Sequence, residues 1–369
     1  MAMREFLPRM IFWELTDRCN LACAHCRGGD HRAPAVEEEL STSEATAFID
    51  SVAEKYSSVL ALTGGEPLYR DDVFELAGHI RDRGLRAALA TNGTLLDSAA
   101  ARRVRQSGIT RVSISIDGAQ PGFHDGFRGV PGSFAGALAG ARALRYEGVE
   151  YQFNMTVTRS NADQMEAVFR LAEAEGARGL HLFMLVPVGC GVELAETDML
   201  SADKYEAVLD RFWHMSRETA LETKATCAPH YARINSVNTR RFGREAASVP
   251  GEGHPPGLSG GRASGGRPLS LGCLAGTAVC FVSHKGEVRP CGYFAVAAGN
   301  IREKSFPDIW ENSPLFGDLR EPDKLKGKCG ICEYKVVCGG CRARAYQATG
   351  DYLAEEPFCR HVPPGAGRT

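Results

Sequence analysis

Short apolar runs alternate with amphipathic stretches along the first half of the chain. The apolar runs predict six strands, and their nearly continuous Val, Ile, Leu and Phe content is typical of strands buried on both faces of a parallel sheet. The predicted strands are Met10–Leu15, Val59–Thr63, Ala87–Thr91, Val112–Ile116, Phe153–Thr158 and Leu180–Val186.

Helix signals lie between these strands. Ser41 and Glu44 have the spacing of a capping box and precede an apolar stretch. Two further predicted helices, Val73–Arg83 and Gln164–Ala174, each run towards a glycine, which is a common helix stop. Six strand–helix units of this kind predict an α/β fold with a partial parallel (β/α)6 barrel.

The second half of the chain has a different composition. A helical stretch is expected around Asp203–Thr219, and Pro250–Pro268 is so rich in Gly, Pro and Ser that it predicts a flexible linker or mobile loop. The last hundred residues or so hold most of the cysteines, which predicts a small domain organised by metal. The predicted division is a barrel at 9–200, a helical bridge at 201–248, a linker at 249–269, a cysteine-rich domain at 270–362 and a tail at 363–369.

The composition is that of an ordinary globular protein. The chain has 369 residues, 44% of them hydrophobic, and 43 Lys and Arg against 45 Asp and Glu leave a net charge of -2. This balance gives no support to bulk attraction for nucleic acid or an anionic membrane. No apolar run approaches the roughly 18 residues of a membrane span, and Met1–Pro8 lacks a secretory apolar core. We therefore expect a cytoplasmic protein that binds neither nucleic acid nor membrane.

The cysteines change this picture. There are 13 of them, an odd number, and a reducing compartment disfavours structural disulfides. Three lie near the start, Cys190 and Cys227 stand alone, and the others fall between Cys273 and Cys359. Clustered thiols in a reducing compartment indicate a metal site.

The first cluster is a C-x3-C-x2-C group, Cys19, Cys23 and Cys26, directly after the first predicted strand. In a parallel barrel that loop lies at the carboxyl end of the strands, where such barrels carry their chemistry. Three thiolates can hold three irons of a 4Fe–4S cluster, whereas a closed cluster takes four. The fourth iron is then open to a ligand that is not protein. The alternatives are spare thiols or a zinc site completed by His25 or His31.

Three further stretches follow the next predicted strands in order. Thr63–Pro67 reads TGGEP, Ala90–Gly93 reads ATNG and Ser115–Gly118 reads SIDG. Together with the C-x3-C-x2-C group they resemble the radical S-adenosylmethionine (SAM) superfamily. The resemblance implies that Gly64, Gly65, Glu66 and Pro67 bind the methionyl amine, that Asn92, Ser115 and Asp117 lie where the family contacts the SAM carboxylate or ribose, and that His25 covers the adenine.

The C-terminal cysteines form a second set. Its two C-x2-C pairs are separated by five residues, whereas a zinc ribbon separates them by about 15–20. The set resembles the SPASM extension of radical SAM enzymes, which carries one or two auxiliary 4Fe–4S clusters. By this resemblance one cluster is bound by Cys273, Cys280, Cys291 and Cys341, and the other by Cys329, Cys332, Cys338 and Cys359.

The resemblance also implies a mechanism. In the family, an electron from a low-potential donor such as flavodoxin or ferredoxin cleaves SAM, and the resulting 5′-deoxyadenosyl radical abstracts a hydrogen atom from an unactivated carbon. An auxiliary cluster near the substrate can accept the surplus electron. The implied reaction is a net oxidation in which the cofactors carry the chemistry and the protein positions them.

The substrate is indicated by three other stretches. They are Gly272–Cys280, Cys338–Tyr346 with Thr349–Pro357, and Thr226–Tyr231, and they resemble the heme-biosynthesis branch of the superfamily, which includes heme d1 enzymes. The implied reaction converts two propionates of iron-didecarboxysiroheme to vinyl groups, giving heme b. The alternatives are a peptide- or protein-modifying enzyme, a related heme d1 enzyme, or an iron–sulfur carrier without SAM chemistry. The Gly64–Pro67 motif disfavours the carrier, which needs no ligand-binding glycines.

Some residues are candidates for substrate contact. In the Cys-Ala-Pro-His turn, Cys227 and His230 are candidate catalytic residues that touch the iron of the substrate or donate a proton. The alternative is a small buried thiol and a satisfied core histidine. Guanidinium groups pair well with propionate carboxylates, and the candidates for that role are Arg128, Arg233, Arg342 and Arg344.

Overall fold

The computed structural model describes residues 6–29, 38–242 and 272–366. These residues form a ten-stranded sheet. Its strands are β1 (Met10–Glu14), β2 (Val59–Thr63), β3 (Arg86–Thr91), β4 (Ile109–Ser115), β5 (Tyr151–Val157), β6 (Gly179–Met184), β7 (Glu222–Thr226), β8 (Val279–Val282), β9 (Glu287–Arg289) and β10 (Gly299–Asn300). The order across the sheet is β10-β9-β8-β1-β2-β3-β4-β5-β6-β7.

Helices connect the parallel strands, as the sequence predicts. Ser41 caps the first helix with the predicted capping box. The helix that follows β5 ends at Gly176, which adopts the left-handed φ of 78° expected of a glycine stop. The α-helices are α1 (Thr42–Ala53), α2 (Val73–Asp82), α3 (Ser98–Ser107), α4 (Pro121–Arg128), α5 (Ser133–Tyr146), α6 (Met165–Glu175), α7 (Leu194–Thr197), α8 (Ala202–Met215), α9 (His230–Phe242), α10 (Phe306–Asn312), α11 (Pro314–Leu319), α12 (Gly327–Gly330) and α13 (Arg342–Thr349).

The predicted partial barrel is confirmed, with one strand that the sequence pattern did not predict. β1 to β6 match the six predicted strands with small differences at their ends. β7 lies in the segment predicted as a helical bridge and pairs in parallel with β6, Gly179 opposite Glu222. Its sequence, ETKAT, has no apolar run because all five residues are only half-buried. A pattern search for buried strands therefore passes over it.

The cysteine-rich segment continues the same sheet. β8 pairs in parallel with β1, Met10 opposite Val279, and β9 and β10 follow in antiparallel order. This pairing brings the C-terminal cysteines next to the barrel. The predicted domain boundaries remain predictions, and the linker predicted at 249–269 lies outside the described residues.

The main core packs the apolar side chains of the strands against α1, α2, α3, α5, α6, α8 and α10, with Ile11, Trp13 and Phe153 fully buried. A smaller apolar cluster, formed by Val186, Phe294, Leu315, Cys341 and Ala343, lies in the C-terminal part. Because β1 to β4 are parallel, the loops after them meet at one edge of the sheet. In the described ranges, no helix is both long and apolar enough to span a membrane.

Candidate functional site

The loop after β1 carries Cys19, Cys23 and Cys26 and is joined directly to the glycine motif after β2. The Gly65 N–H donates to the Thr16 carbonyl at 2.8 Å, and the Glu66 N–H donates to the Arg18 carbonyl at 2.7 Å. A Cβ on Gly65 would lie 2.3 Å from the Arg18 carbonyl oxygen. Glycine is thus required here by the close approach of two backbones, which fixes the cysteine loop against β2.

Glu66 links the loops after β2 and β3. Its carboxylate is fully buried and accepts hydrogen bonds from the Thr91 hydroxyl at 2.7 Å and from the backbone N–H groups of Asn92 and Leu68. Burial raises the pKa of Glu66 to about 7, although these three hydrogen bonds oppose the shift. Among the described residues no cation pairs with this carboxylate, which suits an ammonium group from a ligand. That contact stays a prediction.

Asn92 also lies against the cysteine loop. Its Nδ2 donates to Asn20 Oδ1 at 2.8 Å and lies 3.8 Å from Cys19 Sγ, while its Oδ1 accepts from the Thr94 N–H and hydroxyl. Pro67 begins a short 3-10 turn, and Ser115 ends β4 at the same edge of the sheet. The structure therefore brings the predicted SAM-binding residues together around the first three cysteines.

Asp117, Arg128 and His25 form a buried polar network beside this loop, with an ion pair between Asp117 and Arg128. Arg128 makes an ion pair of 2.6 Å with Asp117 and donates to Cys23 Sγ at 3.6 Å. Burial alone would raise the pKa of Asp117, but Arg128, with smaller contributions from the nearby histidines and the Thr156 N–H, holds the pKa below its usual range. The Asp117 carboxylate therefore balances the guanidinium that faces the Cys23 sulfur.

His25 stacks on Phe127 with ring centroids 4.2 Å apart, and its Nε2 lies 3.8 Å from Asp117. Burial lowers the pKa of His25 to about 4, so the ring is neutral at neutral pH. Its Nδ1 is buried and has no hydrogen-bond partner among the described residues. The ring already has a stacking partner, and its predicted contact with adenine stays a prediction.

The first three cysteines suit an iron–sulfur cluster better than zinc. Four thiolates on one zinc at about 2.3 Å would lie roughly 4 Å apart. Across the described ranges, the one group of three or more His, Cys, Asp or Glu ligand atoms within 4.8 Å of one another is Cys332, Glu333 and His361. In the first cluster, Cys19 Sγ accepts a hydrogen bond from the Leu21 N–H at 3.4 Å. N–H groups directed at sulfur are the usual surroundings of a cluster thiolate. His31, the other zinc candidate, lies outside the described residues.

A cavity in the C-terminal part is lined by four cysteines. The residues that line it include all four members of one predicted set, Cys329, Cys332, Cys338 and Cys359. Backbone N–H groups again point at sulfur, from Glu356 to Cys329 and from Tyr334 to Cys332, both at 3.4 Å. His230, Arg233, Lys328 and Lys335 also line this cavity, so the cations can balance the negative charge of a bound cluster.

His230 is one of the residues that line this C-terminal cavity. It is 1% exposed, and neither ring nitrogen has a hydrogen-bond partner among the described residues. Burial lowers its pKa to about 3, so the ring is neutral. An N–H without a partner in a cysteine-lined cavity suits a cluster sulfide as acceptor. Whether His230 contacts substrate stays a prediction.

The remaining predicted set is only partly assembled. Cys291 and Cys341 belong to or pack on the smaller apolar cluster, and burial together with the nearby Cys341 and Cys273 raises the pKa of Cys291. Cys280 lies instead in the main core, fully buried. Cys227, predicted to touch substrate, lies beside the other three thiols.

The four candidate arginines all have partners within the protein. Arg233 pairs with Glu206, and Arg344 pairs with Glu356 at 3.1 Å, where both side chains are fully buried. Arg342 donates to the carbonyls of Tyr352 and Ala354, and Arg128 is held by Asp117. The structure therefore gives these arginines internal roles and leaves none of them open for a substrate carboxylate.

Lys224 is a cation that the sequence pattern did not single out. It lies on β7 opposite His181 of β6, on the face of the sheet away from the buried Leu180 and Leu182. His181 is hydrogen-bonded to Gln152 at 2.7 Å. The Lys224 ammonium forms no hydrogen bond or ion pair with the described residues, and burial lowers its pKa. Its strand went unpredicted, so its place inside the barrel could not be read from sequence.

Comparison with known proteins agrees with this geometry. The radical SAM superfamily model matches residues 13–172, and the model of SPASM, an iron–sulfur cluster-binding domain, matches residues 273–341. The AdoMet-dependent heme synthase of Methanosarcina barkeri is 50% identical over 357 residues, which cover 96% of this chain and 97% of the relative. The pre-heme d1 synthase of Dinoroseobacter shibae is 33% identical, covering 95% and 85%. The structure of Streptococcus suis SuiB bound to S-adenosylmethionine, 15% identical, shares the fold with a TM-score of 0.70 over 96% of this chain and 78% of that chain.

Proposed function

Because this chain belongs to the radical SAM superfamily and carries a SPASM iron–sulfur domain, we propose that it converts iron-didecarboxysiroheme to heme b by oxidative decarboxylation of two propionate side chains. Its cofactors are SAM, a 4Fe–4S cluster on Cys19, Cys23 and Cys26, and auxiliary iron–sulfur clusters in the C-terminal part. The observation that carries the proposal is the 50% sequence identity with an AdoMet-dependent heme synthase over nearly the full length of both chains.

The proposed reaction has a defined balance. At each of two propionates a β-hydrogen atom is removed, the bond to the carboxylate breaks, carbon dioxide leaves, and one electron passes to an iron–sulfur acceptor, leaving a vinyl group. When bound, the first cluster and SAM supply the 5′-deoxyadenosyl radical that takes the hydrogen atom. We expect a low-potential donor such as flavodoxin or ferredoxin to supply the reducing electron.

Different described residues have different roles in the proposed reaction. The Gly65 and Glu66 backbone contacts and the Asn92 side chain hold in place the cysteine loop that would bind the first cluster. Arg128 donates a hydrogen bond to Cys23 Sγ, and a hydrogen bond to a cluster sulfur favours the reduced form of the cluster. Lys224, on the inner face of β7, has no ion pair among the described residues, so a substrate carboxylate can pair with it without breaking one.

The test is an anaerobic turnover assay on the reconstituted full chain. The enzyme receives SAM, a strong reductant and iron-didecarboxysiroheme, and 5′-deoxyadenosine and porphyrin mass are followed together. The expected product is heme b, formed with loss of two carboxyl groups and about two deoxyadenosines per heme. Cys23→Ala is the matched control, which should make neither product because one cluster thiolate is missing.

Two other outcomes would reject parts of the proposal. Deoxyadenosine without any change in the porphyrin would reject the substrate and favour another tetrapyrrole, as in the pre-heme d1 relative, or a peptide. No deoxyadenosine from a preparation whose iron content and spectrum show an intact first cluster would reject radical SAM catalysis itself.

A further inference from the structure

Cys280 faces away from the cysteines with which the SPASM resemblance groups it. It lies on β8, fully buried in the main core that also contains Phe306 and Trp310. The next residue, Phe281, points to the opposite face of the strand, where Arg27 of the first cysteine loop covers its ring at 4.4 Å. The ionisable groups that interact with the Cys280 thiol are Tyr56 and Arg320, both on the helix side of the sheet.

Cys227 occupies the place left by Cys280. It packs on the smaller apolar cluster together with Cys291 and Cys341. Its thiol is close enough to interact electrostatically with Cys273 and Cys341, and Cys291 interacts with the same two thiols and with Cys227. Four thiols thus converge on one buried region, and four thiolates are what a closed 4Fe–4S cluster requires.

The backbone at Cys227 is strained. Within the described ranges it is the only residue other than glycine with a positive φ, 54°. A left-handed conformation is unfavourable for a residue that carries a side chain, and such strain persists where the surroundings impose it, commonly at functional positions. Cys227 directly follows β7, and its left-handed backbone turns the thiol away from the line of the strand and towards the smaller apolar cluster in the C-terminal part.

A buried hydrogen-bond network imposes this conformation. The Tyr205 hydroxyl donates to the Cys227 carbonyl at 3.0 Å and accepts from Arg344 at 2.9 Å. Arg344 pairs with Glu356, whose carboxylate accepts the Cys341 N–H at 2.6 Å. One network therefore fixes the backbones of Cys227 and Cys341 relative to each other, as two ligands of one cluster would need.

From these contacts we propose that Cys227, and not Cys280, supplies the fourth thiolate of the auxiliary cluster bound by Cys273, Cys291 and Cys341. The inference concerns the cofactor and holds whichever substrate the enzyme takes, so it goes beyond the proposed function. It gives the strained turn after β7 a metal-binding role in place of the predicted contact with substrate.

The experiment measures cluster content and spectra rather than turnover. A parent variant, Cys19→Ala/Cys23→Ala/Cys26→Ala, removes the first cluster from the full chain. Cys227→Gly and Cys280→Ser are then compared in this background after anaerobic reconstitution. Cys227→Gly removes the thiol, and glycine accepts the positive φ without strain, so loss of the cluster would not follow from a disturbed backbone. Iron, acid-labile sulfide and the EPR spectrum of the reduced protein are recorded, with circular dichroism as the measure of folding.

The expected result for Cys227→Gly is a loss of about four irons per chain, or a change in the g values of one auxiliary cluster with folding preserved. Cys280→Ser should keep the iron content and spectrum of the parent. Cys227→Ser, whose oxygen can replace the sulfur, should keep iron and shift the spectrum. Unchanged iron and g values in Cys227→Gly would overturn the proposal, and so would loss of a cluster from Cys280→Ser.

Discussion

The contact between the glycine motif and the cysteine loop makes Gly65→Ala a sharp perturbation. The new Cβ would lie 2.3 Å from the Arg18 carbonyl oxygen and 2.5 Å from that of Asp17, and real Cβ contacts essentially never fall below 3.0 Å. The two backbones must therefore separate by at least about 0.7 Å. Overpacking of this kind costs roughly 1–3 kcal/mol.

The same displacement weakens the two backbone hydrogen bonds from Gly65 and Glu66, now 2.8 and 2.7 Å long. A net loss of about 1 kcal/mol for each brings the expected destabilisation of this contact to roughly 3–5 kcal/mol. Since the cysteine loop depends on the contact, Gly65→Ala should also bind SAM more than tenfold more weakly, one factor of ten being about 1.4 kcal/mol.

The assay is equilibrium binding of SAM to the anaerobically reconstituted protein, with iron content and thermal unfolding measured on the same sample. Gly78→Ala is the matched control, because Gly78 lies within α2 and the nearest atom that an added Cβ would meet is 4.0 Å away, at the end of the flexible Arg81 side chain one turn along the helix. The control should be neutral or slightly stabilising. Wild-type iron content, SAM affinity and Tm in Gly65→Ala would refute the reasoning from backbone contact.

Three other substitutions have outcomes set by their surroundings. Arg128→Leu leaves Asp117 buried without its ion pair and should lower the free energy of unfolding, measured by urea titration under anaerobic conditions, by about 3–5 kcal/mol. Lys224→Met should raise the KM for the proposed porphyrin about tenfold or more in steady-state kinetics, because a charge-assisted hydrogen bond is lost. His284→Gln should destabilise the protein more at pH 6 than at pH 9 in the same urea titration. The hydrogen bond and charge of Glu14 raise the pKa of His284 despite its burial. The stability gained from the charged ring is therefore lost as pH rises through that raised pKa.

Each of these has a control and an outcome that contradicts it. Arg211→Leu breaks an exposed ion pair with Glu166 and should cost less than about 1 kcal/mol; an equal cost for Arg128→Leu would contradict the buried-charge argument. Lys204→Met, on the exposed face of α8, should leave KM unchanged, and a wild-type KM in Lys224→Met would remove Lys224 from the substrate site. For His284→Gln, a penalty that does not depend on pH would show that the ring acts through packing alone.

Much of the barrel could be predicted because its signals are local. An apolar run of five or six residues is enough to identify a strand buried on both faces, and the pairing of Ser41 with Glu44 is enough to place the start of α1. Parallel strands place their following loops at one edge, so the order of motifs already brought Cys19, Glu66 and Asn92 together. The resemblance of these motifs to the radical SAM superfamily is confirmed by the family match.

The signal failed where no local period exists. β7 is half-buried and polar, so it shows no alternation of apolar and polar residues and was not predicted as a strand. The places of Lys224 and Cys227 in the fold could therefore not be predicted either. Spacing likewise counts residues along the chain and does not show which face of a strand a thiol occupies. The ligand set implied by the SPASM resemblance therefore includes Cys280, although β8 turns this thiol away from the other three cysteines.

The sequence by itself thus determined the strands, the cysteine loop, the glycine motif and the class of cofactor, because each is encoded within a few neighbouring residues. Only the tertiary structure decided which distant charges meet, such as Arg344 with Glu356 and Arg128 with Asp117, and which thiols converge around Cys341. Those contacts depend on how the sheet twists and closes, and burial then forces each charge in the interior to find a partner.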